Sequence, residues 1–527
     1  MPGRRETELR GSGAQDVAHA PAIDVDVGMR PSLTRRGLLS AASFAGLGLL
    51  LTSCLPAPRG EGPGSGAGGA APARPGRKLT IPPLLAGSAG ANGARVFELT
   101  AQAGTSHILD GPPTPTWGYN GALLGPTLRA ARGERVVVQV RNELPRTTTV
   151  HWHGMILPAA MDGGPHQPVA PGRSWSPEWT IDQPAATLWY HPHPHGETAM
   201  QVYAGLAGLF IIDDEHSADA GLPTNYGVDD IPLILQDKTF GDDGSLDPDR
   251  VPNFGIMGDV MLVNGTASAE FTATTSLVRF RILNGSNARM YNLEFSDGRA
   301  FDVVGGDAGL LEAPVEANRV SVSPAERVEI VVSLTAGEDV RLVTRNGRVD
   351  IDAGDHDLLR ITSGDVSTST AIPATLPAPA PIRPPSGAIN RTFRLNGHDA
   401  INGEEMDMAR IDTVLAAGST EIWTIENTVY AHNFHIHGAA FTVLDVAGER
   451  PDASMRGHKD TVFVPPRSSA RLAVRFADHP DSRTAYMYHC HILRHEDEGM
   501  MGQYVAVRAG TERSTPRTLG VSEDHAH

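Results

Sequence analysis

Cysteine is almost missing from this chain. Only Cys54 and Cys490 occur in 527 residues, so no disulfide framework holds it together. Aromatic residues are scarce, at 6%, with six Trp and nine Tyr. Basic charge is in deficit: 44 Lys and Arg against 61 Asp and Glu leave a net charge of −17. A nucleic-acid binder presents a basic face, so that class is not expected. Past the first 54 residues there is no run of 18 uncharged apolar residues, which argues against a membrane bundle. What is plentiful is glycine (57) and proline (40), and the length allows three or four domains. The chain therefore reads as a turn-rich, all-β protein. Histidine is the odd surplus, at 21.

The first cysteine closes a leader. Arg35 and Arg36 form a twin-arginine pair, and Gly37 to Leu51 are uncharged. That stretch is too short for a good transmembrane helix and right for a signal segment. Leu51-Thr52-Ser53-Cys54 resembles a bacterial lipobox. The expectation is a twin-arginine lipoprotein-type signal over 1–53, with lipid on Cys54 as the only membrane attachment, in the periplasm or at the cell surface. Asp24 and Asp26 suit a signal poorly, which makes Met29 an alternative start.

Residues 54–77 read as a Pro/Gly-rich linker. Three blocks of alternating apolar and polar residues follow, such as RVVVQVRN (135–142), SLVRFRIL (276–283), RVEIVVSL (327–334), EIWTIEN (421–427) and ARLAVRF (470–476). Each carries the strand signature. The predicted domains are 78–220, 221–365 and 390–511, each of β-sandwich size. A Pro-rich linker, 366–389, precedes the third, and 512–527 reads as a polar tail.

The histidines are grouped as HWHG (151–154), HPHPHG (191–196), HNFHIHG (432–438) and HCHILRHEDEGMM (489–501). Residues i and i+2 of a strand point the same way. The pairs His151/His153, His191/His193, His435/His437 and His489/His491 therefore each project together. Eight imidazoles exceed what one metal accepts, so a cluster of several metals between two domains is expected. His195 would share the face of His191 and His193, in a supporting role. The block 221–365 holds a single histidine, His356, and reads as a spacer. Cys490 points away from its two neighbours. With His495, Met500 and one more imidazole, for which His432 is free, it could form a separate His₂Cys site with an axial Met, the blue-copper arrangement. The peptide bonds beside Cys490 would then join that site to both neighbouring histidines.

The four clusters, in this order, resemble the copper-binding motifs of the three-domain bacterial multicopper oxidases, the laccase and cuprous-oxidase family. The likeness runs over roughly 90–511 and includes ILQDKTF (234–240), LVNGT (262–266), RILNGSNAR (281–289) and INGEEMDM (401–408). It implies three cupredoxin-like Greek-key β-sandwich domains and four copper ions. His432, Cys490, His495 and Met500 match the type 1 ligands, and His151 and His435 the type 2 ligands. His153, His191, His193, His437, His489 and His491 match the type 3 pair. Copper-free cell-division relatives share this fold but lack the ligands, and the intact set here argues against that class. Asn433 stands where relatives often have Pro and is expected to matter little. Met501 is a weaker competitor of Met500. Asp162 and Glu496 match acids assigned to proton delivery, which oxygen reduction in a buried site requires.

The activity implied is one-electron oxidation of phenols or aromatic amines coupled to reduction of O₂ to water. The alternatives are cuprous oxidation with Cu(I) as reductant, or a non-catalytic copper-binding envelope protein. Residues 366–389 contain no Met, and Thr428 to Ala431 offer no thioether or carboxylate. Asp407 with Met406 and Met408 could be a remnant of a Cu(I) site. A monomer without a nucleic-acid partner is expected.

Overall fold

The computed structural model describes residues 76–217, 219–249 and 255–520. The twin-arginine leader and Cys54 lie outside them. All five quoted alternating runs are strands: Arg135–Asn142, Leu277–Asn284, Arg327–Ser333, Thr420–Asn427 and Ser468–Phe476. Among the described residues no helix is long and apolar enough to cross a membrane.

The strands form six sheets that pack in pairs. Each pair encloses one apolar core. Phe97, Val138, Trp152 and Phe210 lie in the first, Phe280, Leu293, Ile330 and Leu359 in the second, and Trp423, Phe434, Leu472 and Tyr504 in the third. Parallel neighbours such as Thr127–Ala131 beside Gly208–Asp213 mark strands that cross between sheets. The strand Asp230–Lys238 is buried along its whole length. One of its faces packs inside the middle sandwich, and Ile234 on the other meets Leu124, Trp189 and Leu209 of the first. Full burial on both faces erases the alternation that marks half-exposed strands.

Three segments behave differently from the sequence reading. Arg77–Lys78 belongs to the middle sandwich, pairing in parallel with Ala269–Glu270. The Pro-rich stretch is pinned to both of its neighbours: the Leu376 N–H donates to Glu312 O at 3.0 Å, and the Ile382 N–H to Thr442 Oγ1 at 3.0 Å. The tail is anchored too, since Leu519 is buried and its N–H donates to Ala409 O at 2.8 Å. In each case an apolar residue or a backbone donor had a partner far away in sequence.

The ligand strands lie side by side. In the first sandwich His151–His153 pairs with Ala186–His191, setting His151 opposite His191. In the third, His432–Ile436 pairs with Tyr486–His489, setting His435 opposite His489.

Candidate metal centre

Cross-strand pairing joins the motifs two by two, and ring stacking then joins the domains. His151 lies flat on His437, with centroids 3.8 Å apart, and His153 on His435 at 3.7 Å. All eight imidazoles are buried. Around them two trios form. In one, His489 Nε2 lies 3.1 Å from both His193 Nε2 and His437 Nε2. In the other, His153 Nδ1 lies 3.4 Å from His191 Nε2, and the His491 ring is 5.1 and 5.2 Å from those of His153 and His191. The remaining pair, His151 and His435, has Nε2 atoms buried without a hydrogen-bond partner among the described residues. Lone pairs facing one another at about 3 Å repel unless a proton or a cation lies between them.

Most outer nitrogens are held, which fixes those rings and their tautomers, whereas neither ring nitrogen of His491 has a hydrogen-bond partner among the described residues. His151 Nδ1 donates to Asp162 O at 3.0 Å, His191 Nδ1 to Pro192 O at 2.9 Å, and His435 Nδ1 to Asp460 O at 2.9 Å. His437 Nδ1 donates to Asp162 Oδ2 at 2.7 Å. Glu496 Oε1 and Oε2 lie 3.3 Å from His193 Nδ1 and 3.0 Å from His489 Nδ1. His153 is the exception in orientation. Its Nε2 donates outward to Asp460 Oδ1 at 3.0 Å, so it offers Nδ1 to the interior. Burial pushes His153, His191, His193, His437 and His491 well below the usual imidazole range, and His435 down to about 4. They are thus neutral at pH 7, the state in which imidazole binds metal.

The second centre is smaller. Cys490 Sγ lies 3.4 Å from His432 Nδ1 and 3.6 Å from His495 Nδ1, and these two nitrogens are 3.2 Å apart. Met500 and Cys490 share the core cluster that contains Phe434 and Ile492, whereas Met501 joins a different one with Met487 and Val505. Met500 thus packs on the side of Cys490, and Met501 does not. Burial pushes the Cys490 thiol up to about 12, so a metal binding there must displace its proton. The donor set, two imidazoles and a soft thiol with a thioether alongside, suits copper.

Several expectations change. His195 is exposed, because the strand ends at His191 and the turn after Pro194 directs it outward. The middle sandwich is not a spacer. Arg327 is fully buried, and all five of its guanidinium N–H groups are used. Nε donates to Thr187 O, Nη1 to Ala325 O and Asp460 Oδ1, and Nη2 to Asp307 O and Asp460 Oδ2. It therefore holds the carboxylate that holds His153. Asp460 and Arg327 escaped the sequence reading because neither lies in a histidine motif and 133 residues separate them. Asp497 was also missed. It accepts the Thr198 and Ala199 N–H groups at 2.8 and 2.9 Å, fastening the ligand turn of the third sandwich to the first. Asn433, read as inconsequential, is fully buried and hydrogen-bonded on both sides. In the Met-Asp-Met stretch, Asp407 Oδ1 accepts the Ala409 N–H at 2.9 Å and Met406 packs on an apolar cluster.

Comparison with known proteins gives the family. Two family models described as multicopper oxidase match residues 100–217 and 376–509. The multicopper oxidase Mco of Staphylococcus epidermidis is 38% identical over 422 residues, 78% of this chain and 88% of that one.

The chain belongs to the multicopper oxidase family.

A laccase from Pediococcus acidilactici superposes with a TM-score of 0.76 at 37% identity, covering 82% of this chain and 94% of that one. The family also reaches the cell division protein FtsP of Salmonella typhimurium, 33% identical over 81% of this chain and 92% of that one. As a multicopper oxidase with laccase neighbours, this protein is an oxidase, and its three sandwiches are cupredoxin-like.

Proposed function

We propose that this multicopper oxidase is a laccase-like enzyme that takes single electrons from phenols or aromatic amines and reduces O₂ to water. The observation that carries this reading is the covalent link at Cys490. Its sulfur belongs to the small centre, while the adjoining His489 and His491 belong to the two trios. Four copper ions would be shared among these donors. His432, Cys490, His495 and Met500 would hold the type 1 ion, and His151 and His435 the type 2 ion. His193, His437 and His489 would hold one type 3 ion, and His153, His191 and His491 the other. Bound copper supplies the one-electron redox chemistry and the affinity for oxygen. The protein holds the rings, excludes water and manages protons.

Asp162 and Glu496 are the acids placed for that last task. Asp162 Oδ2 touches His437, its Oδ1 is buried without a partner among the described residues, and Glu496 faces His193 and His489. Asp162→Asn keeps an oxygen for the His437 N–H but can no longer carry a proton. Reoxidation of the reduced enzyme by O₂ is expected to slow about 100-fold, the low end for a proton-transfer group, with the blue band unchanged. Stopped-flow reoxidation measures this, and an unaltered rate removes Asp162 from the proton path.

A phenolic or amine reductant is favoured over Cu(I) because residues 366–389 contain no Met and Thr428 to Ala431, just before His432, offer no thioether or carboxylate. The laccase-like CueO of Ochrobactrum, 37% identical with a TM-score of 0.75, is described as active towards lignin model compounds. Oxygen uptake by the purified, copper-loaded protein with phenols, aromatic amines, Cu(I) and bilirubin tests the choice. Turnover of phenols supports it. Turnover of Cu(I) alone makes the enzyme a cuprous oxidase, and a colourless, inert protein makes it a copper-binding envelope protein. Export by the twin-arginine route, lipid anchoring at Cys54 and a monomeric state belong to the same reading.

A further inference from the structure

The third motif carries one residue between its histidines, Asn433, to which the structure gives work to do. Asn433 lies between the ligands His432 and His435 on the strand His432–Ile436. Its carboxamide reaches in two directions. Oδ1 accepts the backbone N–H of His491 at 2.9 Å and lies 3.8 Å from Cys490 Sγ. Nδ2 donates to Pro324 O at 2.6 Å and lies 3.3 Å from Ser323 Oγ. The N–H it binds belongs to the peptide bond joining Cys490 to His491, the link between the small centre and one of the two trios.

The partner side is rigid. Ser323 to Arg327 form a turn in which Ala325 takes a left-handed φ of 70°. A side chain there costs about 1 kcal/mol or more, and the surroundings hold it in place. The Ala325 N–H donates to Asn284 O at 2.9 Å, the Ser323 N–H to Glu326 Oε2 at 2.7 Å, and Arg327 Nη1 to Ala325 O at 2.8 Å. One end of the turn therefore meets Asn433, and the other end, through Arg327 and Asp460, meets His153. A proline at 433 could make neither carboxamide bond.

We propose that Asn433 is a positioning residue for internal electron transfer, clamping the Cys490–His491 peptide bond to the Ser323–Pro324 turn of the middle sandwich. This rests on the assignment of Cys490 as a copper ligand. The clamp limits rotation of the peptide and movement of the sulfur, so it sets the thiolate geometry at the type 1 ion. It also couples the domain that holds no copper to the path between those that do.

The test uses the full-length, copper-loaded protein. Asn433→Ala removes both arms. Asn433→Asp, nearly isosteric, keeps an oxygen for the His491 N–H and loses the donor to Pro324. In the alanine variant the thiolate-to-copper absorption and the type 1 EPR hyperfine splitting are expected to shift. Electron transfer from the type 1 ion, followed by stopped-flow, is expected to slow on the order of 10-fold, the lower range for an outer partner of a metal ligand. The aspartate variant should move the same signals in the same direction by less, and it carries the test alone if the alanine variant does not fold. A loss of thermal stability with spectrum and rate unchanged in either variant overturns the proposal, because a purely structural contact would do only that. A wild-type protein that binds copper without turning blue overturns the assignment of Cys490 instead, so the two failures are distinguishable.

Discussion

Cys490→Ser is expected to yield a folded protein that still binds copper between its domains, is not blue, and oxidises phenols at least about 100-fold more slowly. Loss of an outer partner of a metal ligand costs about 10–100-fold. Here a ligand itself is lost, so the upper figure is the floor. The hydroxyl is nearly the shape of the thiol and leaves the core cluster around Phe434 and Ile492 intact. It is harder to ionise than the thiol and offers no soft donor, so His432 and His495 would hold an ion with only the weak Met500 to assist. The cluster histidines keep their outer partners, Asp162, Asp460 and Glu496. EPR should accordingly show the type 2 signal without the type 1 signal, and oxygen uptake should measure the loss. A blue variant would mean that the sulfur is not a ligand. A colourless variant with undiminished turnover would mean that electrons reach the cluster by another route.

The second large effect is expected at Arg327→Met. Arg327 joins Thr187 of the first sandwich, Asp307 and Ala325 of the second and Asp460 of the third. Its removal leaves Asp460 buried and stripped of its main counter-charge. Lys459 cannot substitute, because it is already paired with Asp307 and Glu326 at 2.9 and 3.0 Å. Breaking a buried pair by removing one partner costs about 3–5 kcal/mol, and urea unfolding of the metal-free protein should show a loss of that size. The readout specific to this arrangement is copper binding at the cluster. With Asp460 no longer anchored, His153 is free to turn, and type 3 occupancy should fall while the blue band persists. A variant within about 1 kcal/mol of wild type would show that the three-domain joint does not depend on this guanidinium.

Much of the fold was legible because half-buried strands alternate. Runs such as Arg135–Asn142 and Thr420–Asn427 announce themselves, with one face on a core and the other on solvent. The strand Asp230–Lys238 carries no such alternation, since both faces are covered. The short strand Arg77–Lys78 could not be read as part of the middle sandwich, because its pairing depends on Ala269 and Glu270 nearly 200 residues away. The candidate site follows the same division. His151 and His153 declare themselves by local spacing. His195 does not obey that spacing, because the turn after Pro194 carries it outward.

By itself the sequence determined the inventory: which donors exist, that they come in pairs facing one way, and that one cysteine lies between two of them. Those are local properties, set by the two-residue repeat of a strand and by covalent adjacency. Only the tertiary structure decided how the pairs meet. Face-to-face stacking of His151 on His437 and His153 on His435 joins the first and third sandwiches, and Asp460 turns His153 to present its other nitrogen. It also brought the middle sandwich into the site through Asn433 and Arg327. Contacts between residues more than a hundred positions apart are made by packing, which no local spacing encodes.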